Sequence, residues 1–234
     1  MKLKFSPYAW AKLDWFCHHG PTEIAGFGIT DAKNPAYVKD FATIKQVAYS
    51  CYFKFDASAT ADFFDQQVDA GRNPCEFARI WLHTHPGDSP QPSGTDERVF
   101  AEVFGRCDWA IMFILARSGK TYCRLKFNTG PGGVIDTPVV VDYSEPFQGS
   151  DFEAWKKEYD TNIQQQIATP SQVFGFNQPQ IALSKGIFGG KLPAIVSPAS
   201  ENHDDDADED IFNDLTPEER EAEEWTEFFE NEHA

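Results

Sequence analysis

Two histidines, a serine and an aspartate lie close together in the middle of the chain, with a spacing that suits a metal-dependent hydrolase. His83 and His85 are followed by Pro86, and Ser93 and Asp96 come soon after. Two histidines and one carboxylate are a common catalytic zinc set, which leaves the fourth tetrahedral position for water. Structural zinc sites instead fill all four positions with protein ligands, usually including cysteine. The pattern therefore predicts an open, hydrolytic zinc site.

The elements around these residues must bring them together. The apolar run at 78–82 predicts a buried strand that leads into His83 and His85. Side chains two residues apart on a strand share a face, so both imidazoles reach one ion. A loop rich in Gly, Pro, Asp and Ser follows at 87–92, and a helical pattern begins after it. This helix returns the chain to the strand end and carries Asp96 there.

The motif resembles that of the JAMM metalloproteases, the catalytically competent branch of the MPN (JAB/Mov34) domains. The family pattern is an upstream glutamate, then H-x-H-P, six residues, a serine, two residues and an aspartate. The chain meets the second part of the pattern at His83, His85, Pro86, Ser93 and Asp96. The upstream glutamate of the family typically begins a strand in an E-x-x-G context, which the stretch from Glu23 to Gly26 fits.

The resemblance implies zinc-dependent cleavage of an isopeptide or peptide bond, often at the C-terminus of ubiquitin or a ubiquitin-like protein. His83, His85 and Asp96 would hold one Zn(2+) per chain. Two catalytic residues complete the implied site. Glu23 would act as general base and then as general acid, and Ser93 would donate to the oxyanion. A sulfur-carrier-like protein or a small peptide are further substrates within this class.

Two of these assignments have competitors. Glu76 and Glu97 are the other candidates for the base, but Glu76 lies in a turn-like context and Glu97 suits the first turn of a helix. Glu23 is preferred because small residues follow it and allow a close approach of backbones. Ser93 with Asp96 three residues later also fits a variant capping box, in which the serine is a helix N-cap. Both roles of Ser93 are compatible.

The order of predicted elements indicates an α/β (α+β) domain, with a mixed β-sheet sandwiched by helices. Helices are predicted near 7–19 and 57–70, and strands near 23–30, 36–42, 44–54, 109–116 and 121–128. The resemblance implies the MPN/JAB (cytidine deaminase-like) architecture, with a C-terminal extension. A catalytic domain is predicted at 1–145, and a helical and then irregular, proline-containing extension at 146–200. The helix of this extension is predicted at 151–168.

An acidic tail is predicted at 201–234. It has sixteen acidic residues and one arginine, a net charge of −15, so the rest of the chain accounts for −2 of the total of −17. Thr216, Pro217 and Glu219 predict a helix start, and aromatic residues follow at helical spacing. The tail is either a docking or regulatory segment for a protein partner or a merely solubilising one.

Composition argues against other classes of protein. No apolar run approaches the ~18 residues of a membrane span, so no membrane partner is expected. The N-terminal residues do not resemble a secretion signal, and a cytoplasmic, intracellular location is expected. A nearly neutral body with an acidic tail lacks the basic surface of a nucleic-acid binder. The alternative to an enzyme is an MPN-type scaffold or binding subunit of a larger assembly, with little or no catalysis.

Overall fold

The computed structural model of the protein describes residues 1–166. Its helices are α1 (Pro7–His19), α2 (Ala57–Asp69), α3 (Pro74–Phe77), α4 (Gly94–Phe104) and α5 (Phe152–Asn162). Its strands are β1 (Leu3–Phe5), β2 (Ala25–Ile29), β3 (Tyr37–Val38), β4 (Asp40–Thr43), β5 (Gln46–Ala48), β6 (Phe53–Phe55), β7 (Ile80–His85), β8 (Trp109–Ala116), β9 (Thr121–Phe127), β10 (Gly133–Asp136), β11 (Val139–Val141) and β12 (Ile163–Gln165). None of the helices in this part of the chain has the length and apolar character that crossing a bilayer requires.

Six strands form the central sheet, in the order β10-β9-β8-β7-β2-β4. β7 and β8 run parallel, whereas the other neighbouring strands of this sheet are antiparallel. The predicted mixed sheet is therefore confirmed. Parallel neighbours need a crossover connection, and α4 provides it between β7 and β8. The connection places the first turn of α4 near the C-terminal end of β7.

Helices cover both faces of the central sheet. Leu82 of β7 points to the face covered by α1 and shares a core cluster with Phe16. Trp81 points to the opposite face, where its ring stacks on Phe100 of α4 with centroids 6.3 Å apart. Further along this second face, Phe64 of α2 is 1% exposed. The α/β sandwich predicted from the order of elements is thus confirmed, and the side chains of β7 alternate between two different helical layers.

The prediction of one strand at 44–54 is wrong, because the segment forms the two strands of a hairpin. β5 and β6 pair antiparallel, and the Tyr49 N–H donates to the Tyr52 carbonyl at 2.8 Å. The rings of the two tyrosines stack across the turn, with centroids 4.0 Å apart. The turn contains neither glycine nor proline, the residues that usually mark a reversal in a sequence.

The helix predicted at 151–168 is shorter than expected, because α5 ends at Asn162. The Asn162 side chain donates to the Thr43 carbonyl at 3.2 Å and to its hydroxyl at 2.9 Å. The chain then continues as β12, which pairs parallel with β5 and places Ile163 opposite Gln46. Contacts between distant parts of the chain therefore override the local helical pattern here.

α5 belongs to the same core as the elements that precede residue 145. Trp155 is 1% exposed, and its indole N–H donates to the Tyr8 hydroxyl at 3.1 Å. The extension predicted after residue 145 thus begins with a helix that packs on the domain itself. The irregular arm predicted at 169–200 and the acidic tail at 201–234 lie outside the described residues.

Candidate metal centre

His83 and His85 are the last alternate residues of β7 and point to the face covered by α4. Both belong to the series that includes Trp81, and their rings lie 5.2 Å apart. His83 is fully buried, and His85 is 6% exposed. Pro86 follows directly and cannot donate a hydrogen bond to a neighbouring strand, which ends β7 at this point. The two predicted histidines are therefore brought together at the end of a central strand.

Asp96 reaches the same point from the first turn of α4. Its Oδ1 lies 3.3 Å from the Nε2 of His83, and its Oδ2 lies 3.7 Å from the Nε2 of His85. One potential ligand atom from each of the three residues lies within 4.8 Å of the other two. All three residues are buried. The site thus contains the two imidazoles and the carboxylate that the sequence predicts, facing one another.

Neighbouring groups fix the orientation of two of these side chains. The Ser93 N–H and hydroxyl both donate to Asp96 Oδ2, at 2.8 and 2.9 Å, and the Asp96 N–H donates to Ser93 Oγ at 3.2 Å. This is the capping box predicted for the start of α4. His85 Nδ1 lies 3.0 Å from the Ser89 carbonyl, to which it donates. In the neutral imidazole, that bond leaves the lone pair on His85 Nε2, which faces Asp96.

The imidazole nitrogens at the centre of the site lack hydrogen bonds. Both ring nitrogens of His83 and Nε2 of His85 are buried and have no hydrogen-bond partner within the described residues. The 3.3 Å contact between His83 and Asp96 is therefore an electrostatic one without hydrogen-bond geometry. Buried polar atoms are nearly always satisfied, so the two unsatisfied Nε2 atoms that face the Asp96 carboxylate fit a site that a metal ion completes.

The protonation states of the cluster follow from burial and mutual attraction. Burial lowers the pKa of His83 and so favours its neutral form. Burial also opposes the charged form of His85, but the carboxylates of Asp96 and Glu23 outweigh it and raise the pKa of His85 to about 9. Burial opposes the ionisation of Asp96 as well, yet the two imidazoles hold its pKa well below its usual range. Neutral His83 and ionised Asp96 are in the states that bind metals, whereas His85 would release its proton on becoming a ligand.

Glu23 lies beside this cluster, although it is sixty residues away in the sequence. β2 and β7 are antiparallel with Ala25 opposite His83, and the same register places Glu23 opposite His85. Glu23 Oε1 is 3.8 Å from His85 Nε2, and the glutamate is 7% exposed. The carboxylate therefore lies beside His85 without belonging to the closest group of three.

The two competing glutamates have other partners. The carboxylate of Glu76 accepts from the N–H groups of Asn73 and Ala32, at 2.9 and 3.1 Å. Its carbonyl accepts from Thr30, beyond the far end of β2. Glu97 forms a bidentate ion pair with Arg124, at 2.7 and 2.6 Å. Among the three candidates for the base, Glu23 is the one that lies beside the cluster.

Aromatic side chains surround the histidines on the side away from α1. The ring of Trp81 lies 4.6 Å from that of His83, and the ring of Phe53 lies 6.0 Å from it. Phe53 belongs to the β5–β6 hairpin, whose turn carries the stacked pair Tyr49 and Tyr52. This wall lowers the local polarity around the polar cluster, which strengthens electrostatic interactions inside it. No motif in the sequence indicated the hairpin or its place beside the site.

The fold and the site define a mixed α/β domain with a candidate His-His-Asp metal centre at the end of its central parallel strand. The family model for prokaryotic homologs of the JAB domain matches residues 9–126. The chain belongs to this family, and the matched range contains all five predicted site residues. No match is found among the curated proteins.

Proposed function

We propose that the protein is a zinc-dependent hydrolase that cleaves an isopeptide or peptide bond. The observation that carries the proposal is the cluster of His83, His85 and Asp96, with Glu23 Oε1 3.8 Å from one of its histidines. Three ligands, unsatisfied imidazole nitrogens and a nearby carboxylate suit catalysis better than a structural zinc site, which would have four protein ligands. Membership in the JAB family supports the same class of enzyme.

His83, His85 and Asp96 would hold the ion through Nε2 of each histidine and one carboxylate oxygen. When bound, zinc acts as a Lewis acid and lowers the pKa of water at the site toward ~7. Ser93 holds the Asp96 carboxylate in place, and the Ser89 carbonyl fixes the tautomer of His85. Such outer contacts orient metal ligands and typically change metal affinity 10- to 100-fold when removed.

Glu23 would accept the proton of the attacking water and pass it to the leaving amine. Its carboxylate is buried and lies next to His85. A positioned general acid-base typically contributes 10²- to 10⁴-fold to the rate. Ser93 would donate to the oxygen of the scissile carbonyl as negative charge develops there. In this structure its hydroxyl donates to Asp96, so this role requires the hydroxyl to turn from that carboxylate toward the substrate.

The substrate we propose is a conjugate of ubiquitin or a ubiquitin-like protein, including a sulfur-carrier-like protein, or a small peptide. The support is the resemblance of the motif to JAMM isopeptidases and the match to the JAB family. Phe53, the partly exposed member of the aromatic wall, would offer apolar surface to an extended substrate chain. The acidic tail at 201–234 is proposed to bind a protein partner.

The test is cleavage of isopeptide-linked model conjugates by the zinc-loaded protein, with a Glu23→Gln variant beside the wild type. Glu23→Gln should bind zinc as the wild type does and lose roughly 10²- to 10⁴-fold in turnover. Glu97→Gln is the matched control, because Glu97 pairs with Arg124 and should not contribute to proton transfer. A chelator should abolish wild-type activity.

Two results would contradict the proposal in different ways. Turnover that survives in Glu23→Gln would show that another group is the base. A wild-type protein that binds zinc but cleaves no conjugate or peptide in a broad panel would favour the scaffold alternative instead.

A further inference from the structure

Three consecutive backbone N–H groups at Glu23, Ile24 and Ala25 are each held by a different acceptor. The Glu23 N–H donates to the Tyr49 carbonyl at 2.7 Å. The next two donate to side chains: that of Ile24 to the Thr84 hydroxyl at 3.1 Å, and that of Ala25 to Gln46 Oε1 at 2.9 Å. Glu23 precedes β2, which begins at Ala25. Two of these three N–H groups are therefore held by side chains and not by the backbone of a neighbouring strand.

Gln46 replaces a strand partner for Ala25. β4 ends opposite Gly26, at Thr43, so its pairing with β2 stops one residue short of Ala25. The Gln46 side chain takes over by accepting from the Ala25 N–H and donating to the Ala25 carbonyl at 2.7 Å. Its amide also donates to the Ile44 carbonyl at 2.8 Å. Gln46 is 1% exposed, so three of its four hydrogen-bonding positions are used in a fully buried place.

Thr84 acts from the other side of the segment. It lies between His83 and His85 in β7, and its side chain points away from them, toward the Ile24 N–H. Its own N–H donates to the Ile24 carbonyl at 2.9 Å. Thr84 is 1% exposed. One residue therefore ties the strand that bears the two histidines to the segment that bears Glu23.

We propose that Gln46 and Thr84 are positioning residues that hold Glu23 at the metal centre. The inference rests on the proposed function, because it assigns a role in the step that Glu23 performs. Glu23 and Ile24 precede β2, and the pairing of β2 with β4 stops at Gly26, so no backbone ladder holds this segment on the β4 side. A displacement of ~1 Å at a reacting group costs about 10²-fold in rate. The two side chains prevent that displacement by satisfying consecutive N–H groups.

The experiment measures kcat, KM and zinc affinity for Gln46→Met and Thr84→Val on the isopeptide conjugate. Both variants keep the size of the side chain and lose only the hydrogen bonds that the side chain makes to the segment. The expected result is a fall in kcat of roughly 10- to 100-fold, with KM and zinc affinity within about threefold of wild type. Thr84→Ser restores the hydroxyl and should recover most of the turnover lost in Thr84→Val. Gln66→Met, at an exposed position of α2, is the control for the glutamine change.

A second measurement separates positioning from general damage. If the two residues act through Glu23, adding Gln46→Met to Glu23→Gln should lower the residual rate less than about twofold. Hydrogen exchange should also speed up at the amides of Glu23, Ile24 and Ala25, and stay unchanged in β8. Gln46→Met should unfold at a lower temperature than wild type, because it leaves buried hydrogen-bonding groups unsatisfied. If Gln46→Met does not fold, the kinetics of Thr84→Val alone test the inference.

Unchanged kcat in both variants, equal losses of zinc affinity and kcat, or a full additional loss in the Glu23→Gln background would each overturn the inference. These outcomes differ from a failure of the proposed function, in which the wild-type protein itself would show no turnover. In that case the assignment falls together with the function on which it rests.

Discussion

Replacing Ser93 separates its two predicted roles. Ser93 caps α4 through a 3.2 Å bond from the Asp96 N–H, and it is half-buried. Loss of a serine N-cap to alanine costs about 1 kcal/mol, whereas replacement by glycine costs only a few tenths. For a protein of this size, 1 kcal/mol corresponds to a fall in Tm of roughly 2–4 °C. Ser93→Ala should therefore be visibly less stable than Ser93→Gly.

Catalysis should respond differently, because both variants lack the hydroxyl. Loss of one donor to a developing oxyanion typically costs 10²- to 10³-fold in kcat. Asp96 Oδ2 keeps the 2.8 Å bond from the backbone N–H of residue 93 in both variants, so the ligand stays oriented and zinc affinity should fall by at most about tenfold. We expect the two variants to have similarly low kcat at saturating zinc, despite their different stability.

The assays are thermal unfolding of each variant and steady-state hydrolysis of an isopeptide conjugate at saturating zinc. If kcat of Ser93→Gly stays within about threefold of wild type, the serine is a helix cap and does not assist catalysis. If Ser93→Ala unfolds at the wild-type temperature, the capping bond contributes no stability and the helix start is held by other contacts.

Two further predictions concern the body and the tail. The Lys12 side chain is 5% exposed and pairs with Asp40 at 3.1 Å and Glu158 at 2.7 Å. The two carboxylates are themselves 39% and 25% exposed. Lys12→Met should therefore lower the free energy of unfolding, measured in urea, by about 2 kcal/mol, less than the 3–5 kcal/mol of a fully buried pair. Burial opposes the charge of Lys12, but the two carboxylates outweigh burial and raise the pKa of Lys12. The difference in unfolding free energy between wild type and Lys12→Met should therefore be full below pH 10.5 and shrink as the pH rises above it. A difference that stays constant at high pH would contradict this prediction. Residues 201–234 carry a net charge of −15. Their deletion should leave the KM for a short isopeptide unchanged and change the KM for a folded conjugate by about threefold or more. If the KM for the folded conjugate is the same with and without the tail, the tail is a solubilising segment.

The site was predictable where its chemistry is local in the sequence. His83 and His85 end one strand, and Asp96 opens the next helix, so strand and helix geometry place them together. Glu23 could be found only through the family pattern, because its position depends on the register between β2 and β7. Register depends on the whole sheet, so the residues next to Glu23 in the sequence do not reveal it.

The supporting residues were not predictable. Gln46 has the appearance of an ordinary polar residue in the sequence, and its function depends on β4 ending at Thr43 and on the hairpin turn at Tyr49. β12 adds to this hairpin from a segment with a helical pattern, and it pairs with β5 across more than one hundred residues. Contacts of this kind arise from tertiary packing, which overrides local propensity.

The zinc content of the purified protein tests the central claim most directly. We expect about one zinc ion per chain in the wild type, because three buried candidate ligands converge within 4.8 Å. Asp96→Ala should lose most of this zinc, since it removes the only carboxylate among the three. The control Asp88→Ala changes an exposed loop carboxylate and should keep it. A wild-type protein that takes up no zinc, or an Asp96→Ala variant that binds it as tightly as wild type, would contradict the proposed metal centre.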